Sequence, residues 1–191
     1  MKKPVPKNKE IPLNPKKYII SKTDPRGVIT YANDYFIQVC QYSKKELIGQ
    51  PHNIVRHPDM PRIAFKLMWD TIKQNKDFKA LVKNLAKDGR YYWVLTKFET
   101  VVDPITNEIV SYTAYRSAAP RKAIKEIIPI YKKLVELEKV GGMERSGEYL
   151  AKFLRDNNTT YEKFLDEITE GKSSLFDGML KSIRGIFGFG R

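Results

Sequence analysis

Arginine, histidine and aspartate side chains are concentrated in one stretch of this chain, residues 50–61. It contains both histidines of the protein, His52 and His57, together with Arg56, Asp59 and three prolines. A guanidinium can donate charge-assisted hydrogen bonds to a phosphate or a carbonyl, an imidazole titrates near neutrality, and a carboxylate can orient either group. A polar, proline-stiffened segment of this kind indicates a ligand-binding site. Spacing alone also allows a simple ion pair between Arg56 and Asp59 at a helix start, and it assigns no chemistry to His52.

Two short strands and two short helical elements are predicted before this stretch. Residues 18–22 and 28–31 have strand composition, and the Asp-Pro-Arg-Gly sequence at 24–27 favours a turn, so we expect a β-hairpin. Asn33 or Asp34 can cap the short helix that follows, because either side chain can accept a hydrogen bond from the first helical turn. Ser43, with Glu46 three residues later, has the spacing of a capping box and begins a second turn of helix, which Gly49 ends directly before the polar segment.

A helix and three strands are predicted after the polar segment. Four apolar residues recur at the spacing of one helical face, namely Phe65, Met68, Trp69 and Ile72. On spacing alone we expect this face to pack in the core rather than to hold a cofactor. From residue 78 the apolar pattern has the period of a strand, with hairpin turns at 87–90 and 103–107. Asn84 falls in line with the apolar residues of its strand, so its amide needs a partner if that face points inward.

The order of two strands, short helices and three strands indicates an α+β domain. In this fold class, short helices cover one face of a five-stranded antiparallel sheet and leave a cavity between the two layers. We divide the chain into a basic arm (1–17), this domain (18–118), a helical segment (119–171) and a basic amphipathic tail (172–191).

Helical periodicity continues beyond the domain. Pro129 should kink or restart the first helix, and the Gly-Gly pair at 141–142 should end it. The tail, residues 172–191, is suited to bind a partner helix or an anionic membrane surface, or to complete a small bundle by folding back.

Composition limits the kinds of function that are open to the chain. A formal net charge of +13 favours an anionic partner, or else a solvated lysine-rich surface. Cys40 is the single cysteine, so we expect a buried apolar role for it and no disulfide framework. Without a signal peptide or an apolar run of spanning length, we expect a cytoplasmic protein. Phosphate-loop, dinucleotide-fingerprint, nucleophile, helix-turn-helix and zinc-finger patterns do not occur, so we expect neither an enzyme nor a nucleic-acid binder.

The order of these motifs resembles the PAS domain of aerotaxis receptors over residues 18–118. The resemblance rests on five short sequences, which are Asp-Pro-Arg-Gly-Val-Ile at 24–29, Tyr-Ala-Asn at 31–33, the stretch 49–61, Met-Trp at 68–69 and Gly-Arg-Tyr-Tyr-Trp-Val at 89–94. The Arg-His-Pro-Asp-Met-Pro block within 49–61 is typical of that subfamily.

The resemblance implies a PAS fold that holds FAD non-covalently and uses it as a redox or oxygen sensor, without enzymatic activity. The family's flavin-pocket roles are carried over to the following residues of this chain: Arg56, His57, Asp59, Asn33, Trp69, Asn84 and Trp93. Two alternatives stay open at this point. His57 could instead bind the iron of haem b, as in some PAS gas sensors, or the domain could be a cofactor-free interaction adaptor.

Receptors of this family continue into membrane anchors, a HAMP domain and a methyl-accepting signalling domain, and we find no such segments in this chain. The resemblance therefore implies the bipartite form of energy taxis. In that arrangement a cytoplasmic PAS protein signals to a separate membrane-bound, methyl-accepting chemotaxis transducer that carries the HAMP domain. We further expect a homodimer through the C-terminal helices and peripheral contact with the anionic inner face of the cell membrane.

Overall fold

The computed structural model describes residues 3–170. Five strands form one antiparallel sheet in the order β2-β1-β5-β4-β3. Their bounds are Ile19–Thr23 (β1), Ile29–Ala32 (β2), Phe78–Leu85 (β3), Tyr91–Val102 (β4) and Ile109–Ala118 (β5). The predicted α+β class and the five-stranded antiparallel sheet are confirmed.

Three short helices and one turn of 3-10 helix cover the inner face of the sheet. They are α1 (Asp34–Cys40), α2 (Lys44–Leu47), the 3-10 helix (His52–Val55) and α3 (Arg62–Ile72). Asn33 caps α1, since its side-chain oxygen accepts a hydrogen bond from the backbone of Phe36. Ser43 and Glu46 form the capping box of α2. Large buried side chains such as Phe36, Ile29 and Leu47 fill the space between these helices and the sheet.

Two further helices, α4 (Arg121–Asp156) and α5 (Tyr161–Glu170), follow the sheet. Tyr131 of α4 stacks on Trp93, with ring centroids 6.5 Å apart, and donates a hydrogen bond to the carbonyl of Leu81 at 2.9 Å. Trp93 and Leu81 lie on the strand face opposite to the cavity-facing residues, because successive side chains of a strand point to opposite faces. Helices therefore cover both faces of the sheet at β3 and β4, whereas the sequence indicated one covered face.

The break in α4 lies at the glycine pair. Gly142 has a φ of +65° and a ψ of −165°, and both Gly141 and Gly142 leave helical geometry. The pair therefore ends the first helix, as the sequence predicted, and helix resumes directly after it in the second half of α4. Pro129, where the sequence predicted a kink or restart, keeps helical backbone angles within the first half of α4.

The N-terminal arm lies along the start of β4. Lys7 donates its backbone N–H to Gly89, and Ile11 donates to Tyr91, both at 2.7 Å. Glu10 pairs with Arg121 at 2.7 Å, which ties the arm to the first turn of α4. None of the helices within residues 3–170 is long and apolar enough to cross a membrane. The predicted basic tail, 172–191, lies outside the described residues.

Candidate functional site

A cavity of about 280 Å³ lies between α3, the 3-10 helix and the inner face of the sheet. Its volume is near the lower end of the ~300–1,000 Å³ that is usual for small-molecule sites. One wall is aromatic and apolar, and the other carries most of the polar groups. The apolar wall consists of Phe65, Met68, Trp69, Ile72, Phe98 and Tyr112. The polar wall includes Ser21, Thr23, His52, Asn53, Arg56, Asn84 and Arg116.

The apolar face of α3 forms most of the aromatic wall. Met68 and Ile72 are buried, whereas Phe65 and Trp69 are half-buried beside the cavity. Trp69 meets Tyr112 edge-to-face, with centroids 5.5 Å apart. Gly27 also approaches Trp69 closely, because a Cβ added at Gly27 would lie 3.1 Å from the indole ring. The apolar face of α3 therefore packs in the core, as its spacing predicted, and it also lines the cavity.

Arg116 places a buried positive charge at the polar wall. Its side chain is held by Ser21, whose Oγ accepts from Nη1 at 2.9 Å, and by His52, whose Nε2 lies 2.9 Å from Nη2. The residue is only 3% exposed, and burial lowers the pKa of Arg116 to about 10, so the guanidinium stays charged at neutral pH. No carboxylate within the described part of the chain forms an ion pair with it. A buried charge without a counter-ion is costly, so an anionic or carbonyl-bearing ligand is favoured at this wall.

His52 is held as a neutral ring. Because a guanidinium can only donate, Nε2 of His52 must accept the hydrogen bond from Arg116, which assigns the ring proton to Nδ1. Desolvation of the ring, followed by the positive charge of Arg116, lowers the pKa of His52 to about 3. The ring also stacks on Phe36 with centroids 5.8 Å apart. His52 therefore orients Arg116 without adding a second charge.

Thr96 adds an unsatisfied polar atom beside this charge. The residue is fully buried, and its Oγ1 has no hydrogen-bond partner among residues 3–170. Thr96 is directly opposite Arg116 in the register of β4 and β5, where side chains on one face lie about 5 Å apart. Buried hydroxyl groups are nearly always hydrogen-bonded. Thr96 does not itself line the cavity, so its hydroxyl adds an unsatisfied polar atom behind Arg116 rather than a ligand contact.

Three of the seven site residues carried over from the resemblance line this cavity, namely Arg56, Trp69 and Asn84. Arg56 lies over the ring of Phe65 at 4.3 Å and donates to the carbonyl of Met60 at 3.1 Å. Asn84 is buried, and it lies on the inward face of β3, as its position in line with apolar residues predicted. The structure therefore brings a guanidinium, an indole and an amide to one cavity.

His57 and Asp59 lie outside the cavity. Asp59 pairs with Lys83 at 2.6 Å, so the alternative ion pair with Arg56 is not formed. His57 is buried, and its Nδ1 accepts from the backbone N–H of Asp59 at 3.1 Å. Burial and the nearby charge of Lys83 lower the pKa of His57 to about 4, against the opposing effect of Asp59. The ring is thus neutral at pH 7 and faces a neighbouring depression.

Asn33 and Trp93 are occupied elsewhere. The Asn33 amide accepts from the backbone N–H groups of Ile20 and Phe36 and donates to the carbonyl of Tyr18. These contacts use the amide for helix capping and for joining α1 to β1. Trp93 packs against α4 on the outer face of the sheet.

Sequence reasoning did not single out Arg116, and it gave His52 no role. A signal for Arg116 is present, because Arg116 follows Tyr112 and Ala114 at strand spacing and so places a charge on an apolar strand face. Its partner Ser21 is 95 residues away along the chain. That pairing is visible only in the folded sheet.

Known proteins match the region that contains the cavity. Residues 29–114 match a family model described as PAS fold. The aerotaxis receptor of Escherichia coli (strain K12) is 43% identical over 116 residues, which is 61% of this chain and 22% of the receptor. The nitrogen fixation regulatory protein of Klebsiella pneumoniae is 34% identical over 95 residues, 50% of this chain and 19% of that protein. The chain thus spans about a fifth of the length of these curated relatives.

A relative with lower identity and one solved structure extend these findings. The biofilm dispersion protein BdlA of Pseudomonas aeruginosa is 26% identical over 81 residues, 42% of this chain and 19% of that protein. A solved light-oxygen-voltage domain superposes with a TM-score of 0.51 at 19% identity, covering 61% of this chain and 86% of that one, and it bears on the fold alone. Together with the five-stranded sheet and its inner layer of short helices, the match to this model shows that the domain containing residues 29–114 has a PAS fold.

Proposed function

We propose that the cavity binds a flavin and that the protein is a non-catalytic sensor of redox state or oxygen. The observation that carries this proposal is the buried, uncompensated charge of Arg116 at the polar wall of an otherwise aromatic cavity. A bound flavin would supply reversible electron transfer at this place. Its flat ring has one apolar edge and one edge of carbonyls and ring nitrogens, which matches the two walls of the cavity.

Each wall has a definable role toward such a ring. Trp69 and Phe65 can cover its apolar faces, because aromatic rings stack favourably. Asn84 can both donate and accept at the polar edge. Arg116 favours any ligand state with more negative charge at that edge, because the guanidinium has no carboxylate partner among the described residues. The same group therefore makes the cavity responsive to a change of ligand charge.

Arg116 also joins the elements that would respond. Its guanidinium connects β5 to Ser21 of β1 and to His52 of the 3-10 helix. A change in the ligand's charge alters the balance between these hydrogen bonds and the bond to the ligand. Differences of about 1–3 kcal/mol between two ligand states are typical of such couplings. We propose that this rearrangement is passed on to α4.

The geometry disfavours the haem alternative. His57, the residue that would bind iron, does not line the cavity, and the cavity's volume of about 280 Å³ is small for a porphyrin. His52 does line it, but its Nε2 accepts a hydrogen bond from Arg116 and so faces a fixed positive charge. A cofactor-free adaptor would leave the charge of Arg116 without a ligand.

We further propose that the sensor acts in aerotaxis or energy taxis. The support is the resemblance over residues 18–118 and the 43% identity to a protein named as an aerotaxis receptor. On this proposal the protein is cytoplasmic and signals to a separate membrane-bound methyl-accepting chemotaxis transducer with a HAMP domain. Dimerisation through α4 and α5, and peripheral membrane contact of the tail, are parts of the same proposal.

The first experiment is an absorption spectrum of the purified protein, followed by heating and analysis of the supernatant. Absorption bands near ~370 and ~450 nm with release of FAD are expected for a flavoprotein. A single strong band near ~400–420 nm would indicate haem instead. Colourless protein that takes up no added flavin would refute the proposal and leave the adaptor as the better interpretation.

Variants sharpen this experiment. Arg56→Ala should release flavin while the far-UV circular dichroism stays largely unchanged, because Arg56 lies in the polar segment beside the cavity and not within a helix or strand. Lys22→Gln is the control, since Lys22 is exposed on β1. Flavin retained at full stoichiometry by Arg56→Ala would show that Arg56 is not a binding residue.

A further inference from the structure

The hairpin of β4 and β5 extends beyond the rest of the sheet. β3 pairs with β4 only as far as Phe98, and β1 pairs with β5 only from Tyr112 onward. We call residues 101–111, which join the far ends of the two strands, the ribbon. Within residues 3–170, neither edge of the ribbon has a further strand beside it. Strand edges of this kind are common binding places for another segment of chain.

The ribbon carries three exposed apolar side chains. Val101 is 39% exposed, Val110 is 46% exposed, and Ile105, in the turn, is 92% exposed. The pairing of β4 with β5 shifts between Val101 and Val102, so Val110 is an extra residue of β5 that lies across from Val101. Large apolar groups that are exposed next to one another are typical of an interaction site.

The charge of the ribbon is opposite to that of the whole chain. Asp103 and Glu108 are its charged residues, and it contains no lysine or arginine, whereas the chain has a net charge of +13. Neither carboxylate forms an ion pair within residues 3–170. Hydrogen bonds from the backbone N–H groups of Thr106 and Ile105 lower the pKa of Asp103, so this group stays ionised at neutral pH. The ribbon therefore suits a partner that is both apolar and basic.

The tail, residues 172–191, has this composition. It contains four basic residues and one acidic residue. Its large apolar residues recur at the spacing of one helical face, namely Leu175, Phe176, Met179, Leu180, Ile183 and Phe187. Complementary charge on two apolar segments favours their association and fixes its orientation.

The helix that precedes the tail lies close to the base of the ribbon. Tyr161 of α5 stacks on Phe78 at the start of β3, with ring centroids 5.3 Å apart. Phe78 is paired in turn with Phe98, three residues before the ribbon. A segment of 20 residues spans about 30 Å even as a helix. The tail is therefore long enough to reach the ribbon from the end of α5.

We propose that the tail docks on the ribbon of its own chain, with its apolar side chains on Val101, Ile105 and Val110 and its basic side chains toward Asp103 and Glu108. A docked tail does not offer its apolar side chains to a membrane or to a partner helix. The contact therefore regulates the membrane contact proposed above for the tail. It does not depend on the flavin site.

The test is disulfide formation between the ribbon and the tail in the whole chain of 191 residues. Ile105→Cys is introduced because that side chain is exposed and packs against little of the fold. It is combined in turn with three tail substitutions, which are Phe176→Cys, Leu180→Cys and Ile183→Cys. Each double variant is oxidised with copper phenanthroline at low protein concentration, and the products are separated on a non-reducing gel.

The control replaces Ile105→Cys with Lys44→Cys. Lys44 is exposed on α2, which contacts the turn before β4, at the far end of that strand from the ribbon. At least one ribbon–tail pair should form a disulfide within the chain at least about tenfold faster than its control, because docking raises the local concentration of the two thiols. The native Cys40 does not compete, because it is buried and desolvation raises its pKa to about 11.

Charge variants of the fastest pair test the complementarity. Glu108→Lys should slow the disulfide about three- to tenfold, because it places like charges opposite each other. Adding Arg184→Glu to Glu108→Lys should restore most of the rate, since the two charges are then exchanged. Glu136→Lys, at an exposed position of α4, is the matched control and should change nothing.

Two results would overturn the proposal. Disulfides that form only between two chains would make a second copy of the protein the occupant of the ribbon. Ribbon–tail rates equal to those of the Lys44→Cys control would show that the tail does not dock there at all. Both readouts are independent of flavin, so they leave the proposed function to its own experiment.

Discussion

Replacing Arg116 with glutamine should separate stability from binding in this protein. Glutamine keeps part of the hydrogen-bonding capacity of the arginine and removes its charge. If the buried guanidinium serves a ligand, the flavin-free protein gains little from it. The substitution should then leave folding almost unchanged and weaken flavin binding strongly.

The magnitudes follow from the surroundings of Arg116. A shift of its pKa from 12.5 to about 10 corresponds to a cost of ~3 kcal/mol for holding the charge in a buried site. Against this stand the charge-assisted hydrogen bonds to Ser21 and His52, at 2.9 Å each, which are worth about 1.5 kcal/mol apiece at the lower end of the range for charged groups. The two contributions nearly cancel. We therefore expect the free energy of unfolding of the flavin-free variant to change by less than about 1 kcal/mol.

Binding should respond differently. Loss of one charge-assisted hydrogen bond to the ligand costs about 1.5–3 kcal/mol, which raises the dissociation constant roughly 10- to 150-fold. Urea unfolding of flavin-free protein and flavin titration measure the two quantities on the same samples. Arg116→Lys should lie between wild type and Arg116→Gln in affinity, because it keeps the charge but loses the planar fork. Lys22→Gln, on the adjacent strand but exposed, should change neither quantity.

The reasoning would be refuted by the opposite pattern. If Arg116→Gln destabilised the flavin-free protein by more than about 2 kcal/mol and left flavin affinity unchanged, Arg116 would be a structural residue. Its hydrogen bonds to Ser21 and His52 would then be the reason for its presence. The buried charge could no longer be used to argue for a ligand.

Five further substitutions and a pH series test other parts of the structure. Glu138→Ala should lower the free energy of unfolding by about 2 kcal/mol, because two backbone N–H groups of α3 lose their acceptor. The control is Glu136→Ala at an exposed position, which should cost less than about 0.5 kcal/mol. Equal losses of stability in urea unfolding would contradict the capping role of Glu138. Gly27→Ala should lower the thermal stability more than Gly49→Ala does. Both glycines have φ above +80°, but only a Cβ at Gly27 would crowd Trp69. Equal losses of thermal stability would show that the indole ring adjusts freely. Between pH 6.5 and 5 the wild type should lose up to about 2 kcal/mol of stability because of His52. In this range the unfolded chain takes up a proton on His52, whereas the folded ring, with a pKa of about 3, does not. If His52→Gln had the same dependence of stability on pH, His52 would not be the group responsible.

Local signals were sufficient for most of the fold. The turn at 24–27, the apolar spacing of α3 and the capping residues of α1 and α2 each depend on contacts within a few residues, and the structure has all of them. The break in α4 was also predicted at 141–142, since two adjacent glycines lose helical stability wherever they occur. The helix continues past the break because its second half packs back against α3, where Gly147 lies close to Ile63.

The site was harder to predict for two physical reasons. On β4, three consecutive residues from Tyr92 to Val94 are buried, because helices cover both faces of the sheet there. Buried and exposed residues then no longer alternate along the strand, so the sequence pattern cannot assign Trp93 to one face of the sheet. Arg116 and Ser21 are paired through the neighbouring strands β1 and β5, which lie at opposite ends of the domain in sequence. Their cluster depends on strand order, which local residue patterns do not specify.

Glu138 connects the cavity wall to the helices beyond the domain. Its carboxylate is only 7% exposed and accepts hydrogen bonds from the start of α3, whose aromatic face lines the cavity. Ser146, on the far side of the glycine break, donates to the same carboxylate at 3.3 Å. A movement of α3 that broke the two backbone bonds would cost about 2–4 kcal/mol, which is comparable to the ~1–3 kcal/mol available from typical ligand-state couplings. Small shifts of α3 should therefore carry both halves of α4 with them rather than break this contact, which supports the proposal that a change in the cavity is passed on to α4.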